Sequence, residues 1–78
     1  MAWKAETDGD NRFNISDSNN RPIFTVIVVG DATTTSFCCL AFSEGSETVY
    51  LWPNTSGVFR YGTTQPTVAT QDSEGGAV

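Results

Sequence analysis

The chain has no histidine, so the commonest general base and the commonest metal ligand are both missing. A serine, threonine or cysteine nucleophile needs a base beside it, and Lys4 is the only lysine. Nucleophilic catalysis is therefore not expected. Two close pairs of carboxylates remain, Asp8 with Asp10 and Glu44 with Glu47. Residue type alone allows such a pair to serve as a glycosidase acid and base, but 78 residues leave little room for a substrate cleft. Asp8-Gly9-Asp10-Asn11 has the form of the start of a calcium loop. The later acidic ligands and the bidentate glutamate do not follow at the right spacing. Aspartate and asparagine stabilise turns through their own backbone, so a turn is expected here ahead of a weak calcium site.

Cys38 and Cys39 are neighbours. In a strand neighbours point to opposite faces, so one thiol is expected in the core and the other outside it. Free thiols acting as small hydrophobes are expected, ahead of a vicinal redox switch or a metal pair. Two cysteines rule out a disulfide framework. The sequons Asn14-Ile15-Ser16 and Asn54-Thr55-Ser56 are what chance supplies in a chain with eleven Thr and seven Ser. Trp3, Tyr50, Trp52, Phe59 and Tyr61 would suit either a sugar-binding platform or a core and subunit interface. The second is favoured. Tyr50 and Trp52 share one parity, as do Phe59 and Tyr61, so the two pairs are placed to pack on each other across the Pro53–Gly57 turn.

The elements that would position these groups are strands. No window of a dozen residues keeps helical apolar spacing without a Gly, Pro or Thr run breaking it. Strand patterns recur at Trp3–Thr7, Phe13–Ile15, Ile23–Val29, Thr33–Phe42, Thr48–Trp52 and Val58–Tyr61, with turn residues between them. Ile23–Val29 is apolar on both faces. One face would meet the core, and the other a second layer or a neighbouring subunit. The expected fold is all-β: a small antiparallel β-sandwich or barrel of about six strands over residues 1–61. Residues 62–78 hold few apolar side chains and read as an extended or flexible C-terminal arm.

The net charge is −5, and the four bases, Lys4, Arg12, Arg21 and Arg60, make no patch. Nucleic acid and anionic membrane surfaces are therefore not expected as partners. The longest apolar run has seven residues, Ile23–Val29, against roughly 20 for a membrane span. Met1–Glu6 has no apolar signal core, which predicts a chain made in a cytoplasm.

Ser56-Gly57-Val58-Phe59-Arg60-Tyr61 resembles a stretch of the lambda-type head-decoration proteins of tailed phages. Arg60-Tyr61-Gly62-Thr63-Thr64-Gln65-Pro66-Thr67, leading to Glu74-Gly75-Gly76-Ala77-Val78, is similar to the tails of phage virion proteins. The likeness spans Ser56 to Val78. It implies a capsid decoration, or cement, protein on the outer surface of the virion. Such proteins form trimers or dimers and clamp neighbouring major capsid subunits.

Small size, acidity and one over-hydrophobic strand agree with that expectation. The expected partners are the major capsid protein and further copies of the chain, as a homotrimer ahead of a dimer, with no cofactor, metal or small-molecule substrate. Candidate contact residues are Trp3, Ile23, Phe24, Val26 and Val28 in the N-terminal half, with Tyr61, Thr63, Thr64, Pro66 and Val68 in the C-terminal one. Closed symmetry would bury the Ile23–Val29 surface between copies, and the terminal segments would add to capsid sheet edges. A glycan-binding fibre or receptor module, working through surface aromatics, is the alternative. A small enzyme or an inhibitor-like β module ranks behind it.

Overall fold

A computed structural model describes residues 4–7, 9, 11–31 and 33–78. Trp3, Asp8 and Asp10, each named above, lie outside the described residues. Among the described residues seven strands form in chain order: β1 (Lys4–Thr7), β2 (Arg12–Ser16), β3 (Pro22–Val29), β4 (Phe37–Glu44), β5 (Glu47–Pro53), β6 (Phe59–Gly62) and β7 (Gly76–Ala77). All pair antiparallel with their sequence neighbours in a single sheet of order β1 to β7. The chain is all-β, as its alternating pattern predicts, and the sheet is not closed into a barrel. The second layer of the expected sandwich comes instead from residues 63–75, which fold back across one face in successive turns.

Side chains that bond their own backbone make the meander tight. The Asp17 carboxylate accepts from the Asn19 and Arg21 amides, which turns β2 into β3. The Asp31 carboxylate accepts from the amide and hydroxyl of Thr33. The Thr34 hydroxyl in turn accepts from the Asp31 amide. These bonds explain why β4 begins at Phe37 and not at Thr33, where β-branched residues alone would start it. Asn54 Oδ1 accepts from the Ser56 and Val58 amides and shapes the β5–β6 turn.

The core lies on one face of the sheet. Ile27 and Val29 of β3, Cys39 and Ala41 of β4 and Trp52 of β5 are its buried apolar residues. Residues 63–75 close it as a strap. Pro66 is among the most deeply buried side chains, and Val68 packs on the cluster. The Trp52 indole N–H donates to the Gln71 carbonyl at 2.8 Å. Asp72 accepts from the amide and hydroxyl of Thr55, and the Arg60 guanidinium donates to the carbonyls of Glu74 and Gly75. Three backbone carbonyls and the Asp72 carboxylate thus fasten the segment, while Pro66 is buried and Val68 packs on the core. Pro66 was expected on a partner surface and Val68 with it. Pro66 lies inside the protomer and Val68 is half-buried against its core, because Trp52 needs a lid and the sheet offers none.

Candidate functional site

Register fixes what each face presents. Val26 faces Leu40, and Val28 faces Cys38, so these four share the side opposite the core. Phe24 and Phe42 pair on that same side, their ring centroids 5.1 Å apart. Further pairing adds Phe13 and Ile15 from β2, Val49 and Leu51 from β5, and Phe59 and Tyr61 from β6. The result is an apolar wall running from β2 to β6. Among the described residues no element packs over it. Phe13, Val28, Phe42, Val49, Phe59 and Tyr61 on this wall are each between 39 % and 53 % exposed. A soluble monomer rarely leaves so many large apolar side chains contiguous and wet.

Among the described residues, charge in the strands is confined on the wall side to one end. Lys4, Glu6, Arg12 and Arg60 project to the other side of the sheet, as their pairing with Ser16, Asn14, Ile27 and Trp52 requires. Glu44 and Glu47 are the exception: they face each other at the β4–β5 hairpin, two residues beyond Phe42 and Val49, and so stand on the wall side at one rim. Asp17, Asp31 and Asp72 occupy turns or the strap. Each is held below the usual carboxylate range, chiefly by hydrogen bonds from Arg21, Thr33 and Thr55 respectively. The wall therefore combines apolar area with an anionic surround.

The sequence-predicted contact residues separate. Phe24, Val26, Val28 and Tyr61 come together on the wall. Ile23, although exposed, is the additional residue of a bulge where Ser16 pairs with Pro22 and Ile15 with Phe24. Thr63 and Thr64 are exposed just after β6. Phe13, Leu40, Phe42, Val49 and Leu51 belong to the wall and were missed, whereas Phe59 had been named only among the aromatics of a core or subunit interface. Their signal was present, since alternation in β2, β4 and β5 marks one apolar set beside the core set.

One aromatic expectation is corrected. Tyr50 pairs with Gly62 and Trp52 with Arg60, whereas Phe59 pairs with Pro53 and Tyr61 with Leu51. The two ring pairs therefore occupy opposite faces and do not pack on each other. The hairpin register sets this, and parity within each strand does not reveal it. With Trp52 fully buried, the four described rings make no common platform for a sugar.

The thiols divide as expected, Cys39 buried and Cys38 exposed on the wall. Burial pushes the Cys39 thiol up to about 11, with the neighbouring Cys38 adding to the effect. Asn14, in the first sequon, is buried and accepts from the Thr25 hydroxyl at 2.8 Å. Among the described residues no cluster of three or more His, Cys, Asp or Glu is placed to hold a metal. A polar hollow beside β1 and β2 is lined by Lys4, Glu6, Asn14 and Ser16, and its charged pair, Lys4 with Glu6 at 3.1 Å, is exposed.

Comparison with protein-family models, with curated proteins and with solved structures finds no match to the chain.

Proposed function

We propose that the protein is a non-enzymatic structural component of a phage virion, a decoration protein that sits on the outer capsid surface and cements neighbouring major capsid subunits. The observation that carries the assembly part of this reading is the uncovered apolar wall. Its area suits a protein contact, and it has neither the concavity of a small-molecule site nor the clustered bases of a nucleic-acid site. The capsid part rests on the likeness of Ser56–Val78 to decoration and virion proteins.

The mechanism is physical. Many copies bound to one shell make attachment multivalent, so weak individual contacts suffice. Binding the assembled shell, and not its free subunits, stabilises the shell by mass action. Among the described residues β1 ends the sheet and pairs only with β2, so its outer edge is a place where an extended capsid segment can add as a further strand. Thr63 and Thr64 offer exposed hydroxyls at the far side of the sheet.

Co-sedimentation with purified shells that lack the protein tests the reading. Saturable occupancy and a higher shell melting temperature are expected. Absence of binding to any shell, or saturable binding to glycans in its place, overturns it.

A further inference from the structure

We infer that the apolar wall is covered by the wall of a second copy, so that two chains make a two-layer sandwich about a two-fold axis. The inference rests on the reading of the wall as a protein-binding surface in an assembly protein.

Size comes first. Half-exposed rings with roughly 200 Å² apiece, and the aliphatic residues between them, give a wall on the order of 600 Å². That is at the top of the range for the largest patch on a lone monomer, about 300–600 Å². Two walls together lose about 1,200 Å², where specific interfaces begin. The protomer is also a slab. Its Cα atoms extend 42 × 27 × 16 Å, with a radius of gyration of 13.2 Å. A compact chain of this length would have about 11.5 Å. Stacking a second sheet about 10 Å above the wall covers the face that the strap leaves open.

The shape of the wall favours two copies over three. Three walls around a three-fold axis form a prism, deep at its centre and shallow at its corners. Such a prism needs large side chains mid-sheet and small ones at the flanks. Here rings stand at both flanks, Phe13 on β2 and Phe59 on β6, as well as in the middle, where Phe24 meets Phe42. Side chains of even depth suit two stacked sheets.

Charge fixes the direction of the axis. Each chain carries −5, yet two walls can meet without bringing acids together if the Glu44–Glu47 rims point opposite ways. A two-fold axis running across the strands, between the sheets, does this. An axis along the strands would set the two acidic rims side by side.

Sedimentation equilibrium on the full chain, paired with maleimide labelling of Cys38, tests the inference. Cys38 is exposed on the wall of one protomer and would be hidden by a second. The expected result is a species of twice 8.4 kDa, with Cys38 labelling slowed in proportion to the paired fraction as concentration rises. Val28→Glu should abolish pairing. Val58→Glu, made at a residue equally exposed but outside the strands, should not. Circular dichroism checks that both variants fold. If Val28→Glu does not, the concentration dependence of Cys38 labelling in the unaltered chain decides.

A monomer with concentration-independent labelling overturns the inference, as does a trimer, or a dimer in which Cys38 stays reactive. Shell co-sedimentation is scored separately. A dimer that binds no shell removes the capsid reading and leaves the pairing intact, and a monomer that binds shells does the reverse.

Discussion

At single positions the backbone makes the sharpest demands. Gly75 has φ +65°, and a Cβ there would strike the Tyr61 carbonyl. Gly45 has φ +61°, but a Cβ there would meet open space. The left-handed conformation costs an ordinary residue about 1–2 kcal/mol. Gly45→Ala should therefore lower stability by about that amount in a urea melt. Gly75→Ala adds a collision with backbone that only movement of the strap or β6 relieves, so its loss should exceed about 3 kcal/mol. Equal losses would show that the strap yields freely at Gly75. The thiols give a second contrast. Only the thiolate attacks, and a thiol held near 11 is almost wholly protonated at mildly alkaline pH. One alkylated cysteine per dilute native chain, Cys38, is expected by mass spectrometry, and two after unfolding. Rapid native labelling of Cys39 would mean that the sheet opens readily at β4.

The elements were legible to different degrees, for physical reasons. β3 and β5 stand within a residue of their predicted limits, because long β-branched and aromatic runs are bounded by strong turn residues. β4 starts four residues late because Thr33 and Thr34 bond to Asp31 instead of a partner strand. β7 has two residues and no alternation to read. The strap escaped prediction because its anchors are polar: Gln71, Asp72 and the Arg60 guanidinium take part through hydrogen bonds that composition does not reveal. The wall was half legible, since period-2 alternation identifies each strand's second apolar set but not how the sets align.

Asp72 makes the strap sensitive to acid. Hydrogen bonds from Thr55 lower its pKa from 3.8, so the folded value lies below the unfolded one. The stability it contributes is complete above pH 3.8 and fades as pH falls through the lower folded value. The Thr55 amide resonance should titrate with a midpoint below 3.8, and Asp72→Asn should abolish that step. A midpoint at or above the ordinary aspartate value would contradict the bond.

For the whole molecule, the strap and the wall have opposite roles. The sequence suggests a C-terminal segment that could be removed with loss of attachment and little loss of folding. The packing predicts the reverse order. Deleting residues 63–78 uncovers Trp52 and removes the partner of its indole N–H. Core losses around a large aromatic run to about 3–5 kcal/mol, a large part of the roughly 5–15 kcal/mol that holds a small domain together. The truncated chain should lose its cooperative thermal transition, measured by circular dichroism. A sharp transition near that of the intact chain would show that the sheet's core needs no lid.

The strict order of the sheet bears on how fast it forms. Every strand pairs with its neighbour in the chain, so the contacts that build β1 to β6 span short loops. Closing short loops costs little entropy, and chains dominated by local pairing fold quickly for their size. The strap is the exception, because Gln71 meets Trp52 across the intervening β5–β6 hairpin, 19 residues apart in the chain. Contacts of that kind are expected to form past the rate-limiting barrier. They govern how long the native state lasts and hardly affect how soon it is reached. A sheet that zips up rapidly and is then latched by its last segment remains latched only as long as that segment takes to peel away.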